Sequence, residues 1–307
     1  MLRKIFNIYE DNEFKVITIF GININIKKHP KEIENLISFI PIKRIRKLIL
    51  YFDKKLDNVN KNIIDFQKYM EALELARKIH KDTFLKYKDI YTNKDIVLIG
   101  NGPTAKNYIR INNAIHIGVN RAFYLENINL DYLFIQDAEV YSLLDESLKK
   151  KFNNVIKFYG QIDRRFYDRQ ITVPEKYYNN NNVYKYILNC QFFQYDHLVY
   201  DISSFPLGDF SSVIFPAIQF AFWTNPRRIF LVGCDMTYDG HFYDNKKNAL
   251  NFNKMMLGWN NVKELNYNYY PDTEIISINP IGLKGMFKDI YTNDSEYTYE
   301  NGNIFKI

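Results

Sequence analysis

KDIVLIGNGPT, residues 94–104, is a short apolar run that passes directly into a glycine turn. Ile96, Val97, Leu98 and Ile99 have the character of a strand buried on both faces. Gly100-Asn101-Gly102-Pro103-Thr104 then reads as a tight turn opening a helix. Glycine permits close backbone approaches, and a helix N-terminus presents unpaired N–H groups to an anion. A phosphate or nucleotide is therefore one reading of this turn, and an ordinary strand-to-helix connection is the other. No GK[ST] follows, so it is not a P-loop, and Lys106-Asn107 stands where a GxGxxG motif needs its third glycine.

Working outward, short apolar runs recur at Ile115–Val119, Tyr132–Ile135, Val155–Phe158, Ile229–Val232 and Ile275–Ile278, with helical stretches between them. This alternation indicates an α/β fold with a mainly parallel sheet and helices on both faces. Ligands of such sheets bind at the carboxyl ends of the strands. Those ends carry polar residues: Gly100 to Thr104, Asn120-Arg121, Gln136-Asp137, Asp235 and Thr237, and Asn279. Ser211 and Ser212 precede the apolar stretch Val213–Trp223, and form either a second anion cradle or a simple helix cap. His241 follows Gly240 just past a strand end and is the best-placed general base, with a structural role as its alternative. His116, inside an apolar run, reads as a satisfied core histidine. His29 and His80 read as surface residues.

The 307-residue chain divides into four expected parts. Residues 1–28 form a hairpin from Phe14–Ile19 and Ile22–Ile26. Residues 29–92 are helical, with a second long helix from Asn62 to Tyr87 whose stripe is Ile63, Phe66, Met70 and Leu73. Residues 93–290 form the α/β domain, in which the Tyr- and Asn-rich excursion at about 161–206 reads as an inserted lid or an irregular loop. Residues 291–307 are a polar tail, expected to be partly disordered. Ile42, Ile45, Leu48 and Ile49 share a helical face flanked by basic residues, which suits either peripheral contact with an anionic membrane or a solvated face. No apolar run is long enough to span a bilayer. Cys190 and Cys234 lack metal spacing, which suits a cytoplasmic setting, with the inner face of the membrane reached only through that helix. The net charge of +6 suits an anionic substrate or surface. No long basic stripe interleaved with aromatic residues points to nucleic acid.

GNGPT at 100–104, VNRAFY at 119–124, the helix start at Gly208–Ser212 and VGCDMTYDGHFYD at 232–244 together resemble the bacterial family-42 sialyltransferases. They look equally like a broader group of bacterial surface-polysaccharide proteins that share that nucleotide-binding domain. FKVITIFGININIKK, 14–28, is similar to a leader found on many polysaccharide glycosyltransferases. The resemblance implies a Rossmann-like, GT-A-variant domain and an inverting transfer from a CMP-activated sugar, sialic acid or a related acid sugar among the options. It implies no metal or other cofactor, the CMP-sugar being a substrate. By motif position Asn101 and Asn120 contact nucleotide and donor, Gln136 or Asp137 supplies a further donor contact, and Ser211 or Ser212 another. Tyr238 and Tyr243 fall near two tyrosines that hold the leaving phosphate. The family's catalytic histidine has no counterpart in Met256–Asn261, where Trp259 stands instead. The acceptor implied is a lipooligosaccharide, capsule or other lipid-linked surface glycan, and a homo-oligomer is left open. Two other readings remain: a pyrophosphokinase-like enzyme with Mg²⁺ on Asp137, Glu139 and Asp235, and a non-catalytic nucleotide- or glycan-binding subunit.

Overall fold

The computed structural model describes residues 6–10, 14–19, 22–27, 43–126, 128–137, 140, 154–161, 182–189, 197–244, 251–292, 297–300 and 303–306. The chain divides into two compact units, Met1–Ile64 and Asp65–Ile307.

In the first unit, β1 (Phe6–Glu10), β2 (Phe14–Ile19) and β3 (Ile22–Lys27) form an antiparallel meander. The hairpin expected at 14–26 is present and is extended by a strand that the alternation at Ile22–Ile26 did not reveal. Helix α1 runs unbroken from Lys43 to Phe84. It replaces the two helices read from the sequence, because no glycine or proline occurs within it to interrupt the hydrogen-bond ladder. Ile42 lies outside the described residues, as do the side chains of Ile45, Leu48 and Ile49.

The second unit is built on one eight-stranded sheet. Its strands are β4 (Asp95–Ile99), β5 (Ile115–Val119), β6 (Tyr132–Ile135), β7 (Ile156–Gln161), β8 (Val183–Ile187), β9 (Arg228–Val232), β10 (Glu274–Ile278) and β11 (Lys288–Ile290). The order is β11-β10-β9-β4-β5-β6-β7-β8, and every neighbouring pair is parallel. The chain winds outward from β4 in one direction and later from β9 in the other. The boundary between β4 and β9 is thus the topological switch point, where a crevice opens at the strands' carboxyl ends.

Alternating residues of the central strands enter two cores. Ile96 and Leu98 of β4 join Ile229 and Leu231 of β9 in a core with helices α2 (Ile214–Trp223) and α3 (Phe252–Tyr269) and the end of α1. Val97 and Ile99 join Phe230 and Val232 on the opposite face, where the described cover includes 3-10 turns at Pro103–Asn107 and Asn120–Tyr124. Burial on both faces is why these strands read as continuous apolar runs. At the amino end of the switch point, Asp95 is buried and forked by Arg228 at 2.6 Å and Arg227 at 3.0 Å. Burial alone would raise its carboxyl pKa, but the two guanidiniums prevail and hold it below the ordinary value. This charge cluster pins β4 beside β9, with Asp95 opposite Arg228.

All ten residues of α2 are buried, the polar one being Gln219. Its amide accepts from Val199 N–H and donates to the Gly208 and Phe215 carbonyls, so it holds the loop that leads to Ser211 and Ser212.

Two expectations change. Strand β8 falls inside the stretch read as a lid, of which residues 162–181 and 190–196 lie outside the described residues. Within the polar tail, strands β12 (Tyr297–Glu300) and β13 (Asn303–Lys306) pair in a hairpin. His80 is wholly buried rather than at the surface. Its Nδ1 donates to the Ile202 and Phe205 carbonyls, and its Nε2 accepts from Ile187 N–H. His116 is the satisfied core histidine expected, held by Tyr108 Oη and the Ala114 carbonyl.

Burial lowers both imidazole pKa values to about 4. The unfolded chain then takes up protons below pH 6.5 that the folded chain refuses, so stability falls as pH drops from 6.5 toward 4. For one such histidine the loss approaches roughly 3 kcal/mol. Urea unfolding across this window should show the decline, and His80→Gln, which keeps a donor and an acceptor but no titration, should remove about half of it, His116 supplying the rest.

Candidate functional site

A cavity of about 300 Å³ opens at the switch point. Its walls come from the turns after β4, β5, β6 and β9, from the start of α2, and from Met255 and Trp259 of α3. Of the residues singled out in the sequence, the structure brings together Gly100, Asn101, Gly102, Pro103, Asn120, Gln136, Asp137, Ser211, Ser212, Asp235, Thr237 and His241. Backbone conformation is unusual at this rim. Asn120, Ser211 and Met236 have φ of 45°, 65° and 51°, in the left-handed region that costs most side chains energy. Such conformations gather where surrounding packing dictates a particular geometry.

The glycine turn is not an anion cradle. Pro103–Asn107 is a five-residue 3-10 turn rather than the start of an α-helix. The Thr104 N–H donates to Asp235 Oδ2 at 2.7 Å, and the Thr104 hydroxyl donates to Asp235 Oδ1. A carboxylate of the protein itself therefore takes the position expected for a phosphate. The glycines serve the same contact. A Cβ on Gly102 would lie 2.4 Å from Asp235 Oδ2, and one on Gly100 would lie 2.5 Å from the Gly233 carbonyl oxygen. They let the β4 and β9 turns touch, sealed by Gly102 N–H to the Gly233 carbonyl at 2.8 Å. Burial raises the Asp235 pKa, opposed by its bonds from Thr104. Of the carboxylates of the pyrophosphokinase reading, Asp235 is engaged by Thr104, Asp137 lines the cavity, and Glu139 lies outside the described residues. Among the described residues no group of three metal-ligating side chains occurs.

Three wall residues carry a buried polar atom without a hydrogen-bond partner: Asn101 Oδ1, Gln136 Nε2 and Trp259 Nε1. Buried polar groups are almost always satisfied, so three such atoms around one cavity mark it as unfinished without a ligand. Gln136 is itself positioned, because its N–H donates to Asn120 Oδ1 at 3.0 Å. Asn120 thus holds the Gln136 backbone as well as lining the cavity.

No protein-family model matches this chain, and no curated protein matches it. Among solved structures, it is similar to the sialyltransferase CstII from Campylobacter jejuni in complex with the substrate analogue CMP-3FNeuAc, at 13% identity and a TM-score of 0.40 over 70% of this chain and 91% of that one. The same enzyme with cytidine-5'-monophosphate matches at 12% identity and a TM-score of 0.39, covering 70% and 90%. These are likenesses of backbone course at low identity, and the functional reading rests on the site.

His241 lines the cavity, and its ring stacks on Tyr243 with centroids 5.0 Å apart. Its backbone pairs with Asp244, and Phe242 N–H donates to the Asn101 carbonyl at 2.9 Å, tying this loop to the glycine turn. Burial lowers the His241 pKa, with Asp244 the largest opposing influence, which favours a neutral imidazole near pH 7. Cys234 also lines the cavity, but burial pushes its thiol pKa up and removes it as a nucleophile.

Five expected site residues do not line the cavity. Tyr238 is exposed and rests edge-on against Phe252. Tyr243 faces a neighbouring hollow with Tyr124 and Arg110, where Arg121 lies over its ring at 5.5 Å. Arg121 lies outside the cavity wall but pairs at 3.7 Å with Asp137, which is part of it. Asn279 is buried away from the site, bonded through both ends of its amide to Thr292, and it secures the crossover from β10 to β11. Thr104 contributes through Asp235 alone. Met255 and Trp259 were missed as walls, because their spacing marks a buried helical face but not which cavity it meets.

Asp235→Ala should cost about 1–3 kcal/mol, since it leaves two Thr104 donors without their acceptor. Thr104→Val, which removes only the hydroxyl, should cost less. Denaturant midpoints of the two variants check the order.

Proposed function

We propose that the chain is a glycosyltransferase that moves a sugar from a CMP-activated donor to a bacterial surface glycan, by inversion and without a metal. What supports this is the cavity at the switch point, where Asn101, Gln136 and Trp259 hold buried polar atoms lacking partners. The ordered motifs that resemble the family-42 sialyltransferases supply the same walls. Asn101 and Gln136 offer an acceptor and a donor to the donor substrate's nucleotide or sugar.

Ser211 and Ser212 stand at the start of α2, where hydroxyls and the helix dipole favour the phosphate. Neutral His241 takes the proton from the acceptor hydroxyl. The acceptor oxygen forms its bond to the anomeric carbon as the bond from that carbon to the phosphate oxygen breaks, and CMP departs with the electron pair. Tyr243 acts by orienting the imidazole it stacks on, in place of the phosphate contact its motif position implied. The acid sugar, the lipid-linked acceptor and a peripheral place at the inner membrane belong to this proposal through the sequence resemblance alone. Among the described residues no helix is long and apolar enough to cross a membrane.

CMP and CDP without metal should raise the melting temperature, because a ligand bound only by the folded state stabilises it. A response only to ATP with Mg²⁺ would instead select the pyrophosphokinase reading. His241→Ala should keep stabilisation by CMP while transfer falls about 10²–10⁴-fold. Equal turnover in that variant removes His241 as the base, and no turnover in either chain favours the non-catalytic reading. In the wild type, the acid limb of the rate profile should lie below the ordinary histidine value of 6.5, as burial lowers this pKa.

A further inference from the structure

An aromatic hollow of about 370 Å³ lies at the opposite ends of α2 and α3 from the cavity. The cavity meets the start of α2 and Trp259 of α3, whereas this hollow meets Trp223, which ends α2, and Tyr269, which ends α3. The rise from Trp259 to Tyr269 is about 15 Å at 1.5 Å per residue. Tyr200 and Tyr269 stack with rings 8° from parallel and centroids 4.7 Å apart, yet they remain 51% and 54% exposed. Tyr270 stacks on Phe222 and donates its hydroxyl to the Tyr200 carbonyl at 3.2 Å, tying the two segments together. A single exposed tyrosine is ordinary. Here a braced pair shares one concave surface with charged groups of both signs.

Lys88 Nζ lies over the Trp223 ring, 5.1 Å from its centre. Asp201 Oδ1 accepts from the Ser203 N–H and hydroxyl. Among the described residues, Asp201 Oδ2 and the Asp89 carboxylate accept no hydrogen bond. Asp89 is held in place by its backbone, with φ of 57° and its N–H donated to the Trp223 carbonyl at 3.1 Å. Burial raises the Tyr270 pKa, and the Asp89 and Asp201 carboxylates raise it further, so both converge on that phenol.

We propose that this hollow binds a neutral sugar ring, free or within a glycan. The charges select the class. Two carboxylates oppose a phosphate or other anion, and the ammonium already seated over Trp223 opposes an organic cation. A neutral ring with C–H faces and hydroxyls suits what remains. Its faces rest on the exposed tyrosines, and its hydroxyls donate to Asp89 and Asp201 and accept from Lys88. The site is separate from the cavity and does not depend on the transfer proposed above.

Saturation-transfer NMR with lactose, cellobiose and diacetylchitobiose tests this. At least one of the three should receive saturation from the protein, and should keep it when CMP is added. Tyr200→Ala with Tyr269→Ala should weaken that binding about tenfold, with an unchanged far-ultraviolet dichroism spectrum and unchanged stabilisation by CMP. Asp89→Asn, which keeps a residue that tolerates left-handed backbone, should weaken it as well. Saturation of none of the three overturns the proposal, as does binding that both variants retain at full strength or that CMP displaces. Displacement of the sugar by tetramethylammonium or inorganic phosphate would make the hollow a site for charge and also overturns it. Tighter binding of lactose than of galactose or glucose places the ring within a glycan, and equal binding assigns a free sugar; either supports the site.

Discussion

The contact on which the site depends joins Asp235 to Thr104 across the switch point. β4 and β9 are adjacent in the sheet, yet Asp235 and Thr104 are 131 residues apart in sequence. The carboxylate gathers the Thr104 N–H and hydroxyl, and Gly100, Gly102 and Gly233 let the two turns approach until backbone meets backbone. That closure holds Asn101 at the cavity wall. The Asn101 carbonyl in turn receives Phe242 N–H, which fixes the loop bearing His241. The interior carboxylate thereby orders the segments bearing Asn101 and His241 together. At the other end of the same strand pair, Asp95 with Arg227 and Arg228 holds the amino termini. The switch point is clamped by a buried carboxylate at each end.

The cavity inherits its chemistry from what this clamp leaves over. Asp235 is spent on structure, and Asp137 is paired with Arg121. The buried polar atoms of the cavity wall that lack partners are on neutral side chains: Asn101, Gln136 and Trp259. Neutral amides and an indole N–H recognise by directed hydrogen bonds rather than by net charge, which suits a base or a sugar. Burial keeps His241 toward its neutral form and Cys234 toward its thiol form, so the imidazole is the better proton acceptor of the two.

Much of the fold was legible because buried parallel strands expose their pattern directly. Ile96–Ile99, Ile229–Val232 and their neighbours are apolar throughout, and polar residues follow at each carboxyl end. The edge strands were not legible, since β11 has three residues and β8 sits among tyrosines and asparagines that read as loop. Most of the cavity's polar wall could be collected from the strand ends. What each residue does there could not. Gly102 looked like a place for a phosphate, yet its partner is a carboxylate far along the chain. Asn279 shared the pattern of the other strand ends but is consumed by Thr292. His80 gave no local sign of burial, because its three partners come from Ile187, Ile202 and Phe205. Trp259 was visible as a departure from a family motif, and only its place beside the cavity gives that departure a meaning.

The central claim is that the switch-point cavity is the nucleotide site. A crystal structure of the chain grown with saturating CMP tests it most directly. The expected result is CMP in the cavity, within hydrogen-bonding distance of the Asn101 and Gln136 side chains, with the Asp235–Thr104 contact unchanged. CMP bound elsewhere, or a cavity that stays empty at saturation, would contradict it.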